Sequence, residues 1–152
     1  MLKIVCVGKI KEDFFEKGIK EYTKRISGFS KFNIVEVKEV NTNDISKNIF
    51  QEGKNILEKI NNDEYVITLE IKGKTLDSVE FANLISNKLT YGYSKITFVI
   101  GGSNGLDEAV LKRSDYSLSF SSFTFPHQLM RLILTEQIYR ALTITNNKEY
   151  HK

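Results

Sequence analysis

The sequence predicts a single α/β domain, residues 1–152, with a mainly parallel five-stranded sheet and helices on both faces. Short apolar runs alternate with segments that carry apolar residues at helical spacing, almost from the first residue. No repeat, linker or low-complexity stretch interrupts this pattern, and the chain contains only one proline, Pro126. A length of 152 residues is typical of one domain.

The first strand and helix are predicted near the N-terminus. Leu2–Val7 is an apolar run that ends at Gly8, as expected for a buried parallel strand. The spacing of Asp13 and Glu16 predicts an N-cap with its capping-box partner. The buried stripe of the helix that follows consists of Phe15, Ile19, Tyr22 and Ile26.

The second strand and helix follow in residues 32–60. Apolar and polar residues alternate over 35–38, which predicts a strand with one wet face at a sheet edge. Asn43 or Asp44 is expected to cap the next helix. Its apolar stripe contains Ile45, Ile49, Gly53, Ile56 and Ile60.

The remaining elements repeat the alternation. Strands are predicted at 65–71, closed by residues 72–74, at 96–100 and at 116–120. Asp77 and Glu80 predict a capped third helix whose buried residues are Phe81, Leu84, Ile85 and Leu89. A short helix at 106–112 directs Val110 and Leu111 inward, and a last helix at 127–143 buries Met130, Ile133, Leu134, Ile138 and Ala141.

Composition and missing motifs exclude several classes of protein. The chain has one cysteine, Cys6, interpreted as a buried apolar residue, and its two histidines show no metal-ligand spacing, so no metal is expected. It has no long apolar run and no signal peptide, so a cytoplasmic protein without a membrane partner is expected. No P-loop, GxGxxG or HExxH motif occurs. The net charge of +3 permits a nucleic-acid partner without requiring one.

Ligands of parallel sheets collect at the carboxyl ends of the strands, here the loops after Leu69, Ile100 and Phe120. The second loop contains Gly101, Gly102 and Gly105, which let a backbone approach a ligand, although such a cluster alone is more often a tight turn. The third alternates hydroxyl and aromatic side chains that suit an adenine ring, although it also reads as an ordinary connection: Ser121, Ser122, Phe123, Thr124, Phe125 and Pro126.

The last helix and the chain terminus carry residues suited to RNA. Arginine and lysine bind phosphates, and tyrosine or histidine stacks on an unpaired base. By themselves these residues are also typical of a solvated helix face, with a Glu136–Arg140 pair and a frayed end. The candidates for contact with RNA are His127, Arg131, Arg140, Tyr150, His151 and Lys152.

Several segments occur together and in order: GGSNG, SSFTFPHQLMR, LTEQIYRA and a terminal YHK, with MLKIVCVGKIK and LEIKGK earlier in the chain. In this combination the chain resembles the small SPOUT-class methyltransferases that modify ribosomal RNA of the large subunit. The resemblance covers essentially the whole chain. Two departures are Glu70, where the family commonly has Asp, and Ser103-Asn104 inside the glycine loop, where proline is commoner at the first position.

The resemblance implies a C-terminal trefoil knot whose loops form the pocket for S-adenosyl-L-methionine (AdoMet). Leu69, Gly101, Gly102, Gly105 and residues 121–126 would line this pocket. It also implies a homodimer with a catalytic pocket completed across the interface. The implied substrate is N3 of pseudouridine 1915 in the helix 69 loop of 23S rRNA, within the assembled ribosome.

The implied reaction is an SN2 transfer of the AdoMet methyl group, with Arg140, Tyr150 and His151 as catalytic residues. Arg140 and Lys152 are expected to hold phosphate, while Tyr150 and His151 contact the base. His151 is the expected proton acceptor, because imidazole exchanges protons near neutral pH.

Three alternatives remain open at this stage. A non-enzymatic RNA- or ribosome-binding protein would explain the charge and the aromatic tail, but not the two pocket loops. A SPOUT methyltransferase acting on tRNA usually has an additional RNA-binding domain, for which this chain has no room. A flavodoxin-like nucleotide binder would carry a phosphate loop after the first strand, where the chain has only Gly8.

Overall fold

The computed structural model describes all residues, 1–152. Five strands alternate with five helices along the chain. In order, the elements are β1 (Leu2–Val7), α1 (Asp13–Ile26), β2 (Phe32–Val37), α2 (Ile45–Leu57), β3 (Tyr65–Thr75), α3 (Ser78–Thr90), β4 (Ile96–Ile100), α4 (Glu108–Arg113), β5 (Tyr116–Ser119) and α5 (His127–Thr145).

All five strands belong to one sheet with the order β2-β1-β4-β3-β5, and every pairing is parallel. The predicted α/β architecture is confirmed, and so is the position of β2 at a sheet edge. Every residue of β1 and β4 is buried, as expected for central strands covered on both faces. Because β4, β3 and β5 are parallel neighbours, their carboxyl ends lie side by side at one edge of the sheet.

Successive residues of each strand point to opposite faces, and each face has its own core. On one face, Ile4 and Phe98 pack with the helices α1, α3 and α5. On the other, Val5 and Val99 pack with the helices α2 and α4, through Ile56 and Val110. Helices therefore cover both faces, as predicted, and α5 lies in the larger core.

Helix caps follow the sequence signals in two of three cases. The Asp44 side chain accepts from the backbone N–H of Lys47 at 3.2 Å, and Asp77 forms the predicted capping box with Glu80. The prediction for Asp13 is wrong, because α1 begins at Asp13 and its N-cap is Glu12, whose side chain makes no capping bond. Asp13 instead lies in the first turn, where its charge favours the positive end of the helix dipole.

The buried stripe of α2 also differs from the predicted one. Ile45 is 57% exposed, whereas Asn48 and Glu52 are buried. Both polar side chains accept hydrogen bonds from backbone N–H groups of the β2–α2 connection. Glu52 accepts from Val40 at 2.9 Å and Asn48 from Thr42 at 3.0 Å, and these bonds replace apolar contacts at the buried face of α2. The spacing of apolar residues alone could not identify these hydrogen bonds between α2 and the preceding loop.

Two further differences concern single residues. Leu111 was predicted to point inward but is 39% exposed, because the short helix α4 presents only Val110 to the sheet. Cys6 is buried, as predicted, and this burial raises the pKa of its thiol to about 12. The thiol is therefore protonated and unreactive at neutral pH.

No helix is long and apolar enough to cross a membrane. The structure contains no group of three or more His, Cys, Asp or Glu side chains that could hold a metal ion.

A buried ionic network connects the strands at their amino ends. Glu64, which is 2% exposed, accepts from Lys3 Nζ at 2.9 Å and from the hydroxyl of Thr97 at 2.9 Å. Lys95 Nζ lies 3.4 Å from the same carboxylate. Burial raises the pKa of Glu64, but hydrogen bonds from Lys3, Thr97 and Lys95 and the charge of Lys3 hold it below its ordinary value.

We expect Glu64→Gln to lower the free energy of unfolding by about 3 kcal/mol, because Lys3 loses its charged partner in the core. Since the pKa is lowered in the folded state, the ionised Glu64 stabilises the fold above about pH 4 and loses this effect as the pH falls further. Urea unfolding at pH 7 and at low pH measures both effects. The exposed Glu58→Gln is the control, and an equal response of the two variants would contradict the assignment.

Candidate functional site

A bulge in the β3–β5 pairing forms the first wall of a pocket at the carboxyl ends of the strands. Leu69 and Lys74 both pair with Leu118, so residues 70–73 loop out of the sheet between two stretches of regular pairing. The predicted end of the third strand at Ile71 is therefore wrong, because the strand resumes and continues to Thr75. A Cβ atom at Gly73 would lie 2.7 Å from the carbonyl oxygen of Ser117, so only glycine fits where the strand returns.

The predicted glycine loop forms the second wall. The backbone N–H of Gly105 donates to the carbonyl of Gly102 at 3.1 Å, and Gly105 has a φ of +87°, which favours glycine. A Cβ atom at Gly101 would lie 3.0 Å from the carbonyl oxygen of Gly105. The loop is thus a compact turn, with Ser103 and Asn104 exposed at its tip.

The third wall is the connection from β5 to α5. The Ser121 hydroxyl accepts from the backbone N–H of Phe123 at 3.0 Å, and the Ser119 hydroxyl donates to the carbonyl of Ser121 at 3.1 Å. Phe123 is 76% exposed. Local hydrogen bonds therefore shape this loop, while a large aromatic ring remains free to contact a ligand.

These three walls enclose a mainly apolar cavity of about 400 Å³. Eight of the ten residues predicted to bind the cofactor line it, and Ser122 and Pro126 do not. The eight are Leu69, Gly101, Gly102, Gly105, Ser121, Phe123, Thr124 and Phe125.

Sequence reasoning missed several members of this lining. Glu70, Ile71 and Lys72 line the cavity because the bulge brings them there, and they include its acidic and basic side chains. The Glu70 carboxylate accepts from the hydroxyl of Thr68 at 2.6 Å. Leu106 and Met130 add apolar surface. The glycine in the segment LEIKGK was the one signal in the sequence for this bend.

A second group of predicted residues lies on α5 and the chain terminus. Tyr150 Oη donates to Glu136 Oε1 at 2.9 Å, and Arg140 Nη2 donates to the same oxygen at 2.6 Å. Arg140 Nη1 lies 3.1 Å from Nδ1 of His151, and its guanidinium stands 4.6 Å from the centre of the Tyr150 ring. We call Glu136, Arg140, Tyr150 and His151 the tail cluster.

The tail cluster shows that the terminus is docked on α5 rather than frayed. The Tyr150 ring also packs edge-on against Tyr139, with a centroid distance of 4.7 Å. Burial, with hydrogen bonds to Tyr22 and Glu136, raises the pKa of Tyr150, so the phenol is neutral at physiological pH. Lys152 is exposed at the end of the chain.

The cavity and the tail cluster are far apart in one chain. His127 and Met130, in the first turn of α5, line the cavity, whereas Arg140 lies further along the same helix. A helix rises about 1.5 Å per residue, so Arg140 lies about 15 to 20 Å from these two positions. No residue of the tail cluster lines the cavity.

Arg131 is separated from the other candidates by burial. Its side chain is 2% exposed, donates to Glu36 Oε2 at 2.5 Å and to the carbonyl of Gly8 at 3.1 Å, and so ties α5 to β1 and β2. The sequence predicted that Arg131 contacts RNA. In this structure the Arg131 side chain reaches RNA only if its ion pair with Glu36 first breaks.

Comparisons with known proteins bear directly on this geometry. Residues 1–151 match the family model described as "Predicted SPOUT methyltransferase". The chain belongs to the SPOUT methyltransferase family. Membership implies the knotted C-terminal region that the family resemblance led us to expect.

Relatives match over nearly their full length. Proteins named "Ribosomal RNA large subunit methyltransferase H" from Limosilactobacillus reuteri, Finegoldia magna and Carboxydothermus hydrogenoformans are 53%, 52% and 50% identical to this SPOUT methyltransferase, and each match covers 99% of both chains. A probable methylase family protein from Haemophilus influenzae Rd KW20 has a solved structure with a TM-score of 0.60. That match covers 99% of this chain and 70% of the other, and at 15% identity it supports the fold alone.

The bulge predicts a specific sensitivity at Gly73. We expect Gly73→Ala to lower the free energy of unfolding by about 2 kcal/mol, because the added methyl group meets the β5 backbone and not a movable side chain. Thermal or urea unfolding measures this loss. Gly28→Ala is the matched control, since its Cβ would make an ordinary contact at 3.5 Å. Equal stability of Gly73→Ala and the parent protein would show that the bulge does not need glycine.

Proposed function

We propose that this protein is an AdoMet-dependent methyltransferase of ribosomal RNA, acting in the cytoplasm. The finer proposal is transfer to N3 of pseudouridine 1915 in the helix 69 loop of 23S rRNA, in the assembled ribosome. The observation that carries it is a ligand-sized cavity, built from three carboxyl-end loops, in a chain of the SPOUT family. The shared name of relatives with 50% identity or more supports the choice of rRNA.

The lining of the cavity supports AdoMet as its ligand. Its apolar lining suits the adenine ring, and the glycine turn lets backbone groups approach the ligand. Glu70 carries a carboxylate suited to a cationic donor, and Lys72 a positive charge suited to a carboxylate. AdoMet supplies an electrophilic methyl group on a sulfonium, so the protein must chiefly position the two reactants.

We propose that the protein acts as a homodimer in which one subunit's tail cluster completes the partner's cavity. The support is that no residue of the tail cluster lines the cavity of its own chain, and that Arg140 lies about 15 Å along α5 beyond Met130, the last residue of that helix at the cavity. A methyl transfer cannot span such a distance. In this arrangement Arg140 and Lys152 hold phosphate, while Tyr150 and His151 contact the base. His127 lies at the cavity itself. Two subunits also combine their positive charges for binding RNA.

A matched pair of glycine variants tests the cofactor site. Gly105 and Gly92 both have positive φ, and a Cβ atom at either would meet nothing within 4 Å. We expect Gly105→Ala and Gly92→Ala to destabilise the fold similarly, by about 1 kcal/mol. Only Gly105→Ala should weaken AdoMet binding, measured by calorimetry, because only Gly105 lines the cavity. Equal affinities in the two variants would place AdoMet elsewhere.

The reaction itself is tested by transfer of a tritiated methyl group from AdoMet to RNA that lacks the modification. Whole ribosomes, isolated large subunits, naked rRNA and tRNA serve as parallel substrates. We expect label mainly in whole ribosomes, at the predicted pseudouridine. Label only in tRNA would contradict the rRNA assignment, and absence of AdoMet binding would support the non-enzymatic alternative.

A further inference from the structure

The hydrogen bond between Arg140 and His151 restricts what the imidazole can do. A guanidinium has only donors, so an Arg140 Nη1 at 3.1 Å requires His151 Nδ1 to be the acceptor. The hydrogen bond to Glu136 raises the pKa of Arg140, so this donor is permanently charged. A neutral imidazole whose Nδ1 is an acceptor carries its proton on Nε2.

We propose that His151 serves the reaction as a hydrogen-bond donor through Nε2–H, with Glu136 as the positioning residue that fixes this tautomer. This inference rests on the proposed function and replaces the expected role of His151 as proton acceptor. The one lone pair of the neutral ring lies on Nδ1 and is engaged by Arg140. The free edge of the ring therefore offers a proton and not a base.

Glu136 holds the whole arrangement in place. Its Oε1 accepts from Arg140 Nε at 3.0 Å, from Arg140 Nη2 at 2.6 Å and from Tyr150 Oη at 2.9 Å. Gln137 Nε2 donates to the other carboxylate oxygen at 2.9 Å. These bonds fix the plane of the Arg140 guanidinium. They also hold Tyr150, the residue that precedes His151 in the chain. Without Glu136, Arg140 loses both of its hydrogen bonds to a carboxylate, and Tyr150 is held only by its packing against Tyr139 and Arg140.

A donor at this position suits the chemistry of a uracil-type base. The N3 atom lies between two carbonyl groups, and the negative charge left when N3 loses its proton spreads onto their oxygens. An Nε2–H bond to one oxygen, with the Arg140 charge behind the ring, stabilises that charge. In the transfer the N3–CH3 bond forms, the sulfonium–CH3 bond breaks to leave a neutral thioether, and the N3 proton passes to solvent water.

Two substitutions at His151 distinguish a role as hydrogen-bond donor from a role as proton acceptor. Glutamine retains an N–H donor near the position of Nε2 but has no basic nitrogen, whereas alanine has neither. We expect His151→Gln to keep kcat for ribosome methylation within about tenfold of the parent, and His151→Ala to lose about a hundredfold or more. If His151→Gln is as inactive as His151→Ala, while both bind AdoMet normally, the donor role is wrong.

Nitrogen NMR of the 15N-histidine-labelled protein tests the tautomer without any assay of activity. The chain contains only two histidines, so the set of signals that is lost in His151→Gln belongs to His151 and the remaining set belongs to His127. We expect His151 to show protonated Nε2 and unprotonated Nδ1, and Arg140→Leu and Glu136→Leu to give a mixture of both tautomers. A His151 tautomer that neither substitution changes would overturn the positioning role of Glu136. Failure of methyl transfer in the parent protein would instead contradict the proposed function.

Discussion

The interrupted pairing of β3 with β5 is the constraint on which the candidate site depends. Leu69 and Lys74 share one partner, Leu118, so the chain leaves the sheet and returns to it within four residues. Gly73 permits the return because no side chain fits against β5 there. The bulge supplies one wall of the cavity and its charged groups, and β5 also sets the start of the loop that forms the opposite wall.

The second feature of the molecule is the docked C-terminus. Three hydrogen bonds converge on Oε1 of Glu136 and hold Arg140 and Tyr150, while the His151 imidazole rests on Arg140. The terminal residues therefore have a defined geometry before any substrate binds. Groups that are positioned in advance lose less entropy when they engage a substrate. It also fixes them far from the cavity of their own chain, which is why we propose a site shared between two subunits.

The sequence predicted the fold class, four of the five strands closely and eight of the 19 residues that line the cavity. The spacing of apolar residues and the loops at the carboxyl ends of the strands carry that information. It did not predict the exposure of Ile45 or the resumption of β3, since both depend on tertiary contacts. Glu52 replaces an apolar contact with a hydrogen bond to the loop, and Gly73 meets a strand far along the chain. The sequence predicted an RNA contact at Arg131 because charge alone does not reveal that this side chain is buried and paired with Glu36.

Mixed dimers test most directly whether the cavity of one subunit works with the tail of the other. One subunit would carry Thr124→Trp to fill the cavity, and the other would lack residues 150–152. Each variant alone is expected to be inactive, while AdoMet binding survives in the tail deletion. Random reassociation of equal amounts should restore about a quarter of the parent methylation rate, because half the dimers then contain one intact shared site. No recovery in demonstrably mixed dimers would contradict the shared site and place the tail's function within its own chain.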